Sequence, residues 1–226
     1  MKPLKVGVIG IGQLGQHHAR IYNQLKEVDL VGLCDTDKSR AEKAEHYRTS
    51  FTADYRELIG KVDAVSIAVP TVQHYPIAKD FLKNNTHVLI EKPITNTIEE
   101  ADELIDLAKE KGLFLRVGHI ERFNSAFRAV KKMAKRIKFI EIHRLGPFTP
   151  RVKDCGVVLD LMIHDIDIVL SLIPSSLAFL DGVGVNVLTK HEDIANVRLK
   201  FENGAIVNLT ASRLTPEEKR KMRIFQ

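Results

Sequence analysis

A disulfide framework is excluded at once. The 226 residues hold two cysteines, Cys34 and Cys155, too few for a stapled secreted scaffold. Cys34 lies inside an apolar run that suits a buried reduced thiol, so a reducing, cytoplasmic location is expected. No cysteine and histidine spacing of the zinc-binding kind occurs, and the chemistry is expected to be metal-free. No signal peptide precedes the first apolar run, which also favours the cytoplasm. The longest apolar region, residues 157–173, is cut by Asp160, His164, Asp165 and Asp167, which excludes a bilayer span and leaves no membrane partner. A formal charge of +5 raises the question of nucleic acid, but no nucleic-acid motif accompanies it. The one basic run, Lys131, Lys132, Lys135, Arg136 and Lys138, reads as a solvated helix face that mildly attracts anions. Internal repeats and low-complexity segments are absent as well.

What is present is a globular composition, 44% hydrophobic and 28% charged, in a chain long enough for two domains. Residues 4–15, LKVGVIGIGQLG, end an apolar strand in Gly10, Gly12 and Gly15 and open a helix near Gln13 and Leu14. Such glycines serve a tight turn, a close backbone approach to a pyrophosphate and tight helix–strand packing, while the helix start favours the anion. A second apolar strand, residues 30–34, leads to Asp35, placed to accept from a ribose hydroxyl, with Arg40 nearby. That acid favours NAD over NADP, because a 2′-phosphate would meet a carboxylate. Helices are expected over 13–25, 37–46, 73–83 and from Thr97 to 112, a helical turn over 54–59, and strands over 62–69, 88–90 and 113–117. Strands alternating with helices predict a doubly wound parallel sheet, an NAD-binding Rossmann domain over residues 1–118.

Beyond Gly118 the pattern changes to an α+β domain, residues 119–226. Helices are expected over 122–135 and 157–172, a strand over 139–144, a proline-bearing loop over 146–153, and further apolar segments over 182–188, 194–201 and 205–211. The Asn203-Gly204 pair marks a hairpin between the last two, so an open antiparallel sheet is expected. Residues 222–226 read as the beginning of another strand.

Two constellations carry chemistry. Glu91-Lys92-Pro93 ends the fourth strand and sets Lys92 over the mouth of the sheet, where a surface charge is the competing reading. Asp160 and His164, four apart on an apolar helix, share one face, and burial of both is costly unless they are paired or used. A satisfied core histidine is the alternative there. Beside a nicotinamide the three would form an alcohol dehydrogenase site. His164 would accept the hydroxyl proton, Asp160 would orient His164, and Lys92 would stabilise alkoxide character.

The ordered set GIGQLG, Asp35, AVPTVQH, EKP and DLMIHDID resembles the glucose-fructose oxidoreductase, inositol dehydrogenase and rhizopine catabolism (Gfo/Idh/MocA) family of NAD(P)-dependent sugar oxidoreductases, over essentially the whole chain. The resemblance implies catalysis by Lys92, Asp160 and His164. It implies NAD binding by Gly10, Gly12, Gln13, Leu14, Gly15, Asp35, Arg40, Pro70, His74, Glu91 and Lys92. The strings GHIERFN, HRLGPFTPR and VVLDLMIHDIDIVLSL resemble the branch acting on nucleotide sugars. They imply oxidation of the 3-hydroxyl of a UDP-N-acetylhexosamine, in amino-sugar formation for lipid A, with Arg122, Asn124, Arg144 and Arg151 at the substrate. A homodimer or homotetramer built through the second domain's sheet is implied too. The family's second domain normally runs further than this chain, so that domain reads either as unusually small or as incomplete. The alternatives are oxidation of a free polyol such as inositol, and a non-catalytic sensor of NAD or sugar.

Overall fold

The computed structural model describes residues 2–149 and 155–226. These form two compact units, residues 1–118 and 119–226.

Among the described residues of the first unit, six strands make one all-parallel sheet in the order β3-β2-β1-β4-β5-β6. They are β1 (Leu4–Ile9), β2 (Val28–Cys34), β3 (Ser50–Thr52), β4 (Ala64–Ile67), β5 (His87–Ile90) and β6 (Leu115–Val117). Helices α1 (Gly15–Gln24), α2 (Ala41–His46), α3 (His74–Lys83) and α4 (Ile98–Glu110) connect them. This is the doubly wound order, whose direction of winding reverses between β1 and β4, so the carboxyl ends of those strands border a crevice. Val8, Ile9, Val65, Ile67, Val88 and Ile90 are all nearly or wholly buried. Burial of both sheet faces explains why these strands read as continuous apolar runs rather than alternating ones. Thr97 caps α4, its side chain accepting from the Glu100 amide at 3.3 Å, and Glu100 reaches back to the Asn96 amide. Strand β3, three residues long, carries too little apolar pattern to be seen in the sequence.

The second unit stacks a five-stranded sheet, order β11-β7-β10-β9-β8, against helices. Its strands are β7 (Phe139–Leu145), β8 (Leu177–Val185), β9 (Ile194–Phe201), β10 (Ile206–Ser212) and β11 (Lys219–Phe225), and its helices α5 (Ser125–Met133) and α6 (Ile163–Leu172). The Asn203-Gly204 turn joins β9 and β10 as an antiparallel hairpin. All neighbours are antiparallel except β10 and β7, which run parallel because the chain between them crosses through α6 before returning. One face of the sheet, with Ile140, Ile142, Leu199, Phe201, Val207 and Leu209, packs on Val157, Met162 and Val169. Strand β8 starts five residues before the expected 182, and every one of its positions is exposed, so no burial periodicity marks it. Strand β11 likewise begins at Lys219 rather than 222, its start hidden by the basic run Lys219-Arg220-Lys221. The helix expected over 122–135 is a 3-10 turn at Ile120–Phe123 followed by α5, and the helix expected over 157–172 opens with a π turn, Val158–Met162.

Candidate active site and cofactor cradle

The glycine loop after β1 is shaped by contacts that a side chain would destroy. Gly10 has φ +80°, and a Cβ there would lie 2.5 Å from the Ala68 carbonyl oxygen; a Cβ on Gly15 would overlap the Gly10 carbonyl. The chain therefore turns tightly from β1 into α1, with Gln13 and Leu14 exposed in the turn just before the helix. Asp35, at the end of β2, points its carboxylate back at this loop. Its Oδ2 accepts from the Ile11 amide at 2.8 Å and from Arg40 at 2.7 Å, and its Oδ1 from the Asp37 amide at 3.0 Å. A carboxylate has about four acceptor positions, so Oδ1 still has room for a hydroxyl donor. The Arg40 guanidinium also lies over Gly12, 3.2 Å from where a Cβ would stand. The loop, the free start of α1 and the acid one strand away fit an adenine dinucleotide. Next to Asp35, burial pushes the Cys34 thiol up to about 12, with the Asp35 charge adding to it, so this cysteine stays protonated and unreactive.

At the end of β5, Glu91 is buried, Lys92 half-buried and Pro93 buried, with a cis peptide between Lys92 and Pro93. Burial alone would raise the Glu91 carboxyl, but a hydrogen bond from His18 and the Lys92 amide carry it below the usual range. Pro70 is exposed just before α3. His74, expected to touch the cofactor, is instead 1% exposed, with Nδ1 at 2.8 Å from the Pro93 carbonyl oxygen and Nε2 at 2.9 Å from that of Val69. Both nitrogens face backbone oxygens, so this ring ties the Pro93 loop to the end of β4 and has no edge left for a ligand.

In the second unit Asp160 lies in the π turn and His164 in the first turn of α6, both half-buried. A π turn widens the helix locally and is frequent where side chains must be re-aimed at functional sites. The two carboxylates that follow His164 on its helix, Asp165 and Asp167, are braced. Asp165 takes Arg144 through Nε at 3.0 Å and Nη2 at 2.7 Å, and Glu121 adds a contact to Arg144 at 3.4 Å. Asp167 takes Arg122 in a two-pronged grip, Nε at 2.7 Å and Nη2 at 2.5 Å. Burial works against the Arg144 charge, but Asp165 and Glu121 more than offset it and hold the guanidinium firmly protonated.

These placements sort the expected substrate residues. Arg144, 8% exposed, is engaged by two carboxylates inside the unit, so it is a brace rather than an open fork, because strand alternation aims it to the same buried side as Ile140 and Ile142. Arg122 remains about half exposed beside Asp167. Asn124 caps α5 by accepting from the Ala126 amide at 2.9 Å. Arg151 lies outside the described residues. Residues that the sequence reading passed over are His18, Ser66 and Glu121, while Asp165 and Asp167, which read in the sequence as solvated breaks in an apolar run, are buried and paired. His18 had one available signal, its position three residues after Gly15 and four before Tyr22, on the inward stripe of α1. Among the described residues no group of three or more His, Cys, Asp or Glu side chains is placed to hold a metal ion, and no helix is long and apolar enough to cross a membrane.

A doubly wound parallel sheet with this glycine loop and acid defines a dinucleotide-binding oxidoreductase. Comparison with known proteins narrows the class: residues 4–119 match the Gfo/Idh/MocA oxidoreductase family with its NAD-binding Rossmann fold, and residues 116–225 match the Gfo/Idh/MocA C-terminal domain. The chain belongs to the Gfo/Idh/MocA oxidoreductase family, and its cofactor is NAD. It is 39% identical, over 98% of its length and 71% of the relative's, to a UDP-N-acetylglucosamine 3-dehydrogenase of Acidithiobacillus ferrooxidans. The crystal structure of that enzyme superposes with a TM-score of 0.92 over 100% of this chain and 74% of the other. A scyllo-inositol 2-dehydrogenase (NAD(+)) of Bacillus subtilis is 28% identical over 94% of this chain and 68% of its own.

Proposed function

We propose that the protein oxidises the 3-hydroxyl of a UDP-linked N-acetylhexosamine and serves the cytoplasmic formation of amino-sugar precursors of lipid A. The observation that carries this reading is the 39% identity over 98% of the chain with the Acidithiobacillus nucleotide-sugar enzyme. Bound NAD supplies the hydride acceptor. Gly10, Gly12, Gln13, Leu14, Gly15, Asp35 and Arg40 hold its adenosine and pyrophosphate, and Pro70, Glu91 and Lys92 border its nicotinamide end.

The rest of the chemistry falls to this chain. Hydride can leave a carbinol carbon only as the hydroxyl proton departs, and His164 takes that proton, imidazole being the side chain type suited to proton transfer near neutral pH. Asp160 orients His164, and the Lys92 ammonium stabilises developing alkoxide. Arg122 and Arg151 grip the diphosphate, Arg122 turning part of its fork from Asp167, and Asn124 adds a polar contact to the substrate. The open face of the second unit's sheet, with Phe179, Val183, Val185 and Phe225 exposed, joins copies of the chain into a dimer or tetramer.

The test is NADH formation, followed at the reduced-nicotinamide absorbance, with UDP-N-acetylglucosamine, UDP-N-acetylgalactosamine, free N-acetylglucosamine and inositol. Turnover confined to the UDP-sugars is expected. Equal turnover on inositol or free sugar would overturn the assignment, and binding without any turnover would mark a sensor.

A further inference from the structure

Four polar side chains from three elements of the first unit form a continuous chain that ends beside Lys92. Tyr22 and His18 come from α1, Ser66 from β4 and Glu91 from the end of β5. The Tyr22 hydroxyl donates to Ser66 Oγ at 3.4 Å, Ser66 Oγ lies 2.6 Å from His18 Nδ1, and His18 Nε2 lies 3.0 Å from Glu91 Oε1. The far oxygen, Glu91 Oε2, accepts from the backbone amide of Lys92 at 3.3 Å. With the imidazole proton on Nε2, each contact has one donor and one acceptor. Tyr22 donates to Ser66, Ser66 to His18, and His18 to Glu91. Ser66 is wholly buried and Glu91 is 7% exposed, so leaving any member unpaired is costly.

The backbone around the chain makes room for it. A Cβ on Gly118, just after β6, would stand 2.9 Å from Glu91 Oε1 and 3.0 Å from both the carboxyl carbon and Oε2. Only a residue without a side chain leaves the Glu91 carboxylate where His18 and the Lys92 amide reach it. The same helix that carries His18 begins at the glycine loop, so one rigid element serves the cofactor cradle and the Lys92 loop together.

We propose that His18 is a positioning residue for Lys92: through Glu91 it sets the backbone from which the lysine ammonium projects. This rests on the reading of Lys92 as the alkoxide-stabilising cation, and the experiment keeps the two apart. His18→Gln retains a donor where Nε2 stood and can still hold Glu91. His18→Asn retains a polar atom facing Ser66 but loses Glu91. Gly118→Ala displaces the Glu91 carboxylate from a different element.

Lysines of the cofactor-free protein are 13C-methylated reductively and observed by NMR, the Lys92 resonance being identified by its loss in Lys92→Arg. In His18→Asn and Gly118→Ala the Lys92 resonance should move, and kcat should fall about tenfold or more, with KM and melting temperature close to the parent's. In His18→Gln the resonance should stay and kcat should remain within about threefold of the parent. A Lys92 resonance unmoved in both His18→Asn and Gly118→Ala overturns the proposal whatever the activities are. If the resonance moves while Lys92→Met keeps its turnover, the positioning role stands and the catalytic reading of Lys92 falls.

Discussion

Lys92 and His164 are the residues to which we assign the chemistry, and both are half-buried. Half-burial suits a group that must meet a substrate yet keep its neighbours' field from being screened by water. Replacing either by Ala should lower kcat about a hundredfold or more, the usual worth of a positioned acid–base or charge-stabilising group. The NAD dissociation constant should hardly change for His164→Ala and should rise only modestly for Lys92→Ala, because the glycine loop and Asp35 would supply most of the dinucleotide's contacts. Single-turnover kinetics with calorimetric cofactor titration would check this, and a variant that keeps most of its turnover loses the role assigned to its residue. His74 shows the opposite case: a histidine beside a cofactor loop whose two ring nitrogens are both occupied by backbone oxygens is an anchor.

Helix α6 carries His164 next to two buried carboxylates, Asp165 and Asp167, each met by an arginine from another element. A buried ion pair adds little net stability compared with well-packed apolar groups, but removing one partner strands the other charge. Arg144→Met should therefore cost about 3 to 5 kcal/mol. The double variant Arg144→Met with Asp165→Leu should recover most of that loss. Denaturant midpoints at constant slope would measure both. A cost below about 1 kcal/mol for Arg144→Met, the level of an ordinary exposed pair, would show that the arginine does not brace the helix.

At the scale of the molecule, helices among the described residues cover one face of the second unit's sheet. On the other, Phe179, Val183 and Val185 along β8 are more than half exposed, as is Phe225 on β11 at the opposite edge, and exposed apolar side chains of this kind mark a contact surface. The chain should sediment and scatter light as a dimer or larger at micromolar concentration. Val183→Glu with Phe179→Lys should shift it towards monomer without loss of helix or sheet content in circular dichroism. A monomeric parent under the same conditions would refute the assembly.

The first unit was legible in the sequence because its signals are local. A strand running into Gly10, Gly12 and Gly15, and a second running into Asp35, place a tight turn and an acid through covalent spacing alone, and the parallel order follows from alternating strands and helices. The Asn203-Gly204 hairpin was legible for the same reason. Strands β8 and β11 were legible only in part and their starts were missed, since one is exposed along its whole length and the other starts in a basic run. The partners of charged side chains were beyond reach as well. Asp165 finds Arg144 across 21 residues, Asp167 finds Arg122 across 45, and Glu91 finds His18 across 73. No residue type or period in the sequence encodes such a meeting. Sequence decided which groups could carry charge and which faces they occupied; the tertiary structure alone decided which charges were neutralised by a neighbour, because long-range packing sets those distances.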